Sequence, residues 1–164
     1  MRTIIVVSGP INAGKTTIGR ALAKAIDGAV FIDGDDHDAP EDAPLALRIE
    51  AGLQRLSDEI AGNTARWLVI AYPLRNEDHE RLLDVAQTRD ARLLTVTLAP
   101  PLEVCLSDRG SRVLDDGERA RICEMYTEGY HQRAFSDLVV SAAPSVDVAV
   151  NEITAWLNDV LTEL

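Results

Sequence analysis

Residues 9–16 read Gly-Pro-Ile-Asn-Ala-Gly-Lys-Thr, the pattern G-x-x-x-x-G-K-[ST], and an apolar run at 4–7 leads straight into it. The pattern constrains the fold because it works only between a buried strand and the helix that follows. Both flanks are present: the run at 4–7 reads as a strand, and Ile18, Leu22 and Ile26 stand at helical spacing over 17–26, with Gly28 placed to stop that helix. Such a loop is a triphosphate site. Its glycines let the chain curl so that backbone N–H groups point inward, and Gly9, Pro10, Ile11, Asn12, Ala13, Gly14, Lys15, Thr16 and Thr17 form the cradle. Lys15 is expected to reach the outer phosphates of ATP as a point charge, and the Thr16 hydroxyl to ligate Mg²⁺.

At 164 residues the chain is expected to form a single domain over 1–164, large enough to bury a core without disulfides or a structural metal. A hydrophobic fraction of 46% with only 4% aromatics describes an aliphatic α/β protein rather than a disordered one. The formal charge of −11 argues against nucleic acid and anionic membrane as partners, since both demand clustered Lys and Arg. Cys105 and Cys123 have no metal-ligand or C-x-x-C spacing, so both read as reduced packing residues. No apolar stretch approaches membrane-spanning length and the start lacks an export signal, so a cytoplasmic protein is expected, as a monomer or homodimer.

Strands and helices alternate along the chain. Strands are expected at 4–7, 29–33, 67–72, 92–99 and 138–140. Helices are expected over 17–26, 43–61, 77–88 and 118–133, with a short one after Pro100 and Pro101. A last helix is capped by Ser145, with Val146, Val150, Ile153, Leu157 and Leu161 on one face. Strands at this spacing with intervening helices are βαβ units, hence a mostly parallel sheet covered on both faces. In such sheets the ligand sits outside the carboxyl ends of the strands. That rule directs attention to the phosphate loop, to 33–38, to 72–75 and to 99–101.

The segment 33–42 carries six acids. Transfer of a phosphoryl group to a hydroxyl needs Mg²⁺ held in place and a carboxylate that orients or deprotonates the acceptor oxygen. Asp33 is assigned to the water shell of the metal and Asp35 to the acceptor. If strand pairing extends through Asp35, both side chains share a face, with Gly34 allowing close approach of a ligand or backbone. An ordinary acidic turn is the alternative, since Asp and Gly are common turn residues. A second constellation is basic: Asp108-Arg-Gly-Ser-Arg112, then Arg119 and Arg121. Arginines on a closing segment neutralise the charge that spreads over the transferred phosphoryl oxygens. Arg109 and Arg112 are the residues assigned to this; Arg119 and Arg121 read equally well as solvated charges.

The phosphate loop, Phe31-Ile-Asp-Gly-Asp-Asp36, Ala71-Tyr-Pro-Leu-Arg75, and Asp108-Arg-Gly-Ser-Arg112 with Met125-Tyr126 and Gly129-Tyr130 together resemble one family. It is the shikimate-kinase and gluconate-kinase branch of the nucleoside-monophosphate-kinase-like fold. The resemblance covers essentially the whole chain, and only the phosphate loop is specific alone. It implies a three-layer α/β fold with a five-stranded parallel sheet in order 2-3-1-4-5, covered by helices on both faces. It also implies an acceptor-binding segment within 36–62 and a mobile lid around 109–117. In that family the D-x-D after strand two serves Mg²⁺ and acceptor hydroxyl, which falls here on Asp33 and Asp35. Arg75 and Arg112 resemble positions where such kinases hold acceptor and phosphates. The chain departs from the family at 72–74, where Tyr-Pro-Leu replaces the shikimate-kinase glycine triplet, and at 38–48, which lacks the longer gluconate-kinase segment.

These readings converge on an ATP-dependent kinase that phosphorylates a hydroxyl of a small molecule. Its catalytic groups are Lys15, Asp35, Arg109 and Arg112, its metal groups Thr16 and Asp33, and its acceptor contacts Asp35, Arg48 and Arg75. One alternative is a nucleoside monophosphate kinase, which would grip the acceptor phosphate with Arg48, Arg55 and Arg75; the acids at 35–42 weigh against it. A nucleotide-binding regulator that phosphorylates nothing is the other.

Overall fold

The apolar run before the phosphate loop is the central strand of the sheet. The computed structural model describes residues 1–110, 112–142 and 145–162. Strands β1 (Arg2–Ser8), β2 (Ala29–Asp33), β3 (Trp67–Ala71), β4 (Ala91–Leu98) and β5 (Leu138–Val140) form one sheet in the order β2-β3-β1-β4-β5, with every pairing parallel. The helices are α1 (Lys15–Ala25), α2 (Leu45–Gly62), α3 (Asn76–Thr88), α4 (Leu102–Cys105), α5 (Asp116–Thr127) and α6 (Val146–Thr162). Both the fold class and the strand order match the expectation.

Alternation along β1 builds two cores. Ile5 and Val7 face one side, with Val96 and Leu98 of β4, Leu22 of α1, and Ile153 and Leu157 of α6. Ile4 and Val6 face the other, with Leu68 and Ile70 of β3, Leu56 and Ile60 of α2, and Leu82 and Ala86 of α3. Each such buried side chain stabilises by about 1.5–3 kcal/mol relative to exposure, so a strand apolar on both faces takes the middle of the sheet. Because all strands run the same way, their carboxyl ends open onto one edge.

Two local signals set where elements stop. Gly28 takes the left-handed conformation, φ 72°, and the α1 helix ends before it. The helix expected over 118–133 ends instead at Thr127, because Gly129, φ 82°, forms a Schellman cap: its N–H donates to the Tyr126 carbonyl at 3.2 Å and Tyr130 N–H to Met125 at 3.0 Å. The cap folds Tyr130 back beside Met125, both buried. Ser145 caps α6 as expected, accepting from Val148 N–H at 3.2 Å. Cys105 is buried, but Cys123 is exposed and does not pack, because it lies on the solvent side of α5. Among the described residues no helix is long and apolar enough to cross a membrane.

Candidate functional site

The phosphate loop joins β1 to α1 through two glycines with positive φ, Gly9 at 141° and Gly14 at 101°. A Cβ on Gly9 would stand 2.6 Å from the Leu98 carbonyl oxygen, so the loop needs glycine there to lie against β4. No side chain among the described residues caps α1 at Gly14, and its first turn has no acid. The first N–H groups of this helix are therefore left for an anion, with the positive end of the helix dipole behind them. Asn12, φ 64°, braces the loop from outside: its amide donates to the carbonyls of Cys105 and Ser107, each at 2.9 Å. Lys15 Nζ donates to the Pro10 carbonyl at 2.7 Å. Burial pushes the Lys15 ammonium down to about 8, against the opposing pull of Asp35 and Asp33.

Asp33 is the last residue of β2 and ties two parts of the site together. Its Oδ2 accepts from the Thr16 hydroxyl at 3.2 Å, and its Oδ1 from the Asp35 backbone N–H at 3.0 Å. Strand pairing does not extend through Asp35, as the alternation argument required. The strand ends at Asp33, Gly34 N–H donates to the Ala71 carbonyl at 2.9 Å, and Asp36 N–H closes a turn on the Asp33 carbonyl at 3.2 Å. Asp35 is thus carried on a turn clasped by the Asp33 carboxylate, and its own side chain is exposed. The close approach allowed by Gly34 is to the Tyr72 ring, which any side chain at 34 would strike. Thr16 and Asp33 are hard oxygen donors at the phosphate end, a set that suits Mg²⁺ sharing its shell with phosphate oxygens and water.

Most of the assigned residues line one cleft of about 1470 Å³. It takes in the loop from Ile11 to Thr17, Asp35, Arg48, Arg75, Arg109 and Arg112. Gly9, Pro10 and Asp33 are not among its lining residues. Arg109 donates to the Asn12 carbonyl at 2.7 Å, and Arg112 N–H bonds back to the Arg109 carbonyl at 3.1 Å. The Arg112 guanidinium pairs with Glu118 at 2.7 Å. Gly110 has φ 61°, and Ser111 of this motif lies outside the described residues. Arg119 is held away from the cleft by the Leu114 carbonyl and Asp108, at 2.9 and 3.5 Å.

On the opposite side Arg75 makes a two-pronged pair with buried Asp78, at 3.0 and 2.8 Å, and reaches Glu77 at 3.2 Å. Arg48 donates to the Ala43 carbonyl at 3.1 Å. Arg55 anchors the end of β2, donating to the Asp33 carbonyl at 2.8 Å. Among the polar cleft residues not assigned from sequence are Tyr72, Tyr130, Ser141 and Ser145. The rule of carboxyl strand ends points to Ser141 as well, since it follows β5 directly. Tyr130 enters only through the glycine cap.

Neither a family model nor a curated protein matches the chain. Solved structures do. A gluconokinase from Sinorhizobium meliloti 1021 is similar at TM-score 0.73 and 20% identity, over 98% of this chain and 95% of its own. The Mycobacterium tuberculosis APS kinase, in complex with AMPPNP and APS, gives 0.64 and 20%, over 96% of this chain and 98% of that one. Shikimate kinase from Acinetobacter baumannii, in complex with shikimate, gives 0.64 and 18%, over 97% and 94%. At such identities the likeness shows the fold alone, which this chain shares with those kinases.

Proposed function

We propose that this protein transfers the γ-phosphoryl group of Mg-ATP to a hydroxyl of a small molecule. The observation that carries the reading is the double role of Asp33, whose carboxylate accepts from Thr16 of the phosphate loop and from the backbone N–H of Asp35. A triphosphate cradle and an exposed carboxylate are thereby held in one cleft. Bound Mg-ATP supplies the transferable group; the chain supplies positioning and charge. Thr16 and Asp33 would hold the metal, Asp33 through water. Asp35 accepts the hydrogen bond of the acceptor hydroxyl and takes its proton. Lys15, Arg109 and Arg112 offset the charge on the phosphoryl oxygens, the last two from a lid spanning 109–117. The segment 36–62, with Arg48, and Arg75 border the acceptor. The shared fold with proteins named as kinases supports the reading.

The test is transfer of label from γ-labelled ATP to a panel of alcohols, sugars, nucleosides and aminoglycosides. Label in an acceptor supports the reading. Tight ATP binding with no label transferred to any hydroxyl favours the nucleotide-binding regulator instead.

A further inference from the structure

Resting on that kinase reading, we propose that the acceptor carries neither carboxylate nor phosphate and is an uncharged or amine-bearing polyol. Recognition of an anion needs an arginine whose fork is open to the ligand. On the acceptor side of the cleft two arginine forks, those of Arg75 and Arg121, are closed on carboxylates of the same chain. Arg75 is held by Asp78 through two bonds, at 3.0 and 2.8 Å, and by Glu77 at 3.2 Å. Arg121 is held by Glu124 at 3.0 Å and Glu128 at 2.9 Å. Freeing Arg75 for a ligand would strand Asp78, only 2% exposed, as a buried unpaired charge, which is a strongly unfavourable exchange.

The remaining groups on that side suit a neutral or positive ligand. Asp35, Asp36 and Glu41 are exposed at the cleft; among the described residues only Asp36 of these makes an ion pair within 4 Å, with Arg55 at 3.8 Å, and Asp35 acts on Lys15 from farther off. Arg48 lines the same side and bonds only the Ala43 carbonyl, through Nε, so one cation with open terminal nitrogens stands against these three acids. Tyr72 and Tyr130 form the floor, each 6% exposed. Burial pushes both phenols up, Tyr72 to about 12, so their hydroxyls stay protonated and can donate to or accept from an uncharged hydroxyl. On the nucleotide side Arg112 is paired with Glu118, but Lys15 and Arg109 donate only to backbone carbonyls, leaving their charge available to phosphates. The balance of unpaired charge thus divides the cleft: Lys15 and Arg109 toward the triphosphate, and Asp35, Asp36 and Glu41 against Arg48 toward the acceptor.

The division can be measured without knowing the acceptor. His37 borders the cleft between Asp36 and Tyr72, so His37→Cys in a Cys123→Ser background puts a thiol on the acceptor side, while Cys105 stays buried. The two reagents are 2-aminoethyl and 2-sulfonatoethyl methanethiosulfonate, and the rate ratio on free cysteine is the reference. The cationic reagent is expected to be favoured by about tenfold or more beyond that reference. Parity, or preference for the sulfonate, overturns the proposal.

Matched acceptors give a second arm, with label from γ-labelled ATP as readout: glucosamine against gluconate, and adenosine against its monophosphate. Faster labelling of the uncharged or amine-bearing member supports the proposal; faster labelling of the anionic member overturns it. If no compound in the panel takes label, the thiol ratio alone decides. Absence of ATP binding would count against the kinase reading and leave the charge division standing.

Discussion

The Lys15 ammonium is bound by the Pro10 carbonyl of its own loop at 2.7 Å, so an incoming triphosphate must take this cation over from the backbone. Burial has already pushed Lys15 down to about 8, against an ordinary 10.5. Above about 8 the amine is expected to lose its proton, and bound Mg-ATP to restore the charge by drawing one in. ATP binding at pH 9 is therefore expected to take up about one proton, and at pH 6.5 essentially none. Titration calorimetry in two buffers of different ionisation enthalpy measures this. Identical heats in both buffers at pH 9 would refute it.

Lys15→Ala is expected to abolish tight ATP binding while leaving the thermal midpoint within a few degrees of the parent. The side chain contacts loop backbone and belongs to neither hydrophobic core. Unchanged ATP affinity in the variant would remove the loop from the nucleotide site.

Asp35→Asn keeps the shape of the turn, which is held by the Asp35 backbone and not by its side chain. With a working acceptor, turnover should fall about a hundredfold or more, with nucleotide affinity little changed. A variant as fast as the parent would end the role given to Asp35.

Gly34→Ala drives a methyl group into the Tyr72 ring. The expected cost is about 1–3 kcal/mol of stability, read by denaturant unfolding. Much of that cost should vanish in a Tyr72→Ala background, where the ring is gone. Equal cost in both backgrounds would mean that the contact is not what keeps residue 34 glycine.

Residues 109–117 are expected to gain hydrogen-exchange protection when a non-hydrolysable triphosphate analogue binds. Arg109 and Arg112 are exposed, whereas Leu114 is buried in the core, so the gain is expected to centre on the two arginines. Equal protection with and without the analogue would make it an ordinary connection.

Sequence exposed some of these features and concealed others for identifiable reasons. The phosphate loop and the sheet were legible because a strand buried on both faces and a glycine-bounded helix leave direct marks in the residue order. The Asp33–Asp35 geometry was not, since alternation is informative only while the strand lasts, and the Gly34 bond to Ala71 ends it there. Arg75 reads as an acceptor ligand by position, yet Asp78 three residues on is the signal for a helix-start pair. The early end of α5 was readable from Gly129, which outweighs the helical residues after it. The floor of Tyr72 and Tyr130 depends on contacts between distant segments, which no local pattern encodes.

The amide of Asn12 fastens the near end of the arginine segment, at residues 105 and 107, to the phosphate loop. Leu114, 3% exposed in the core, fastens the same segment at its far end. On the lid reading proposed above, Arg109 and Arg112 would therefore move between two anchors, one of them on the very loop proposed to grip the phosphates.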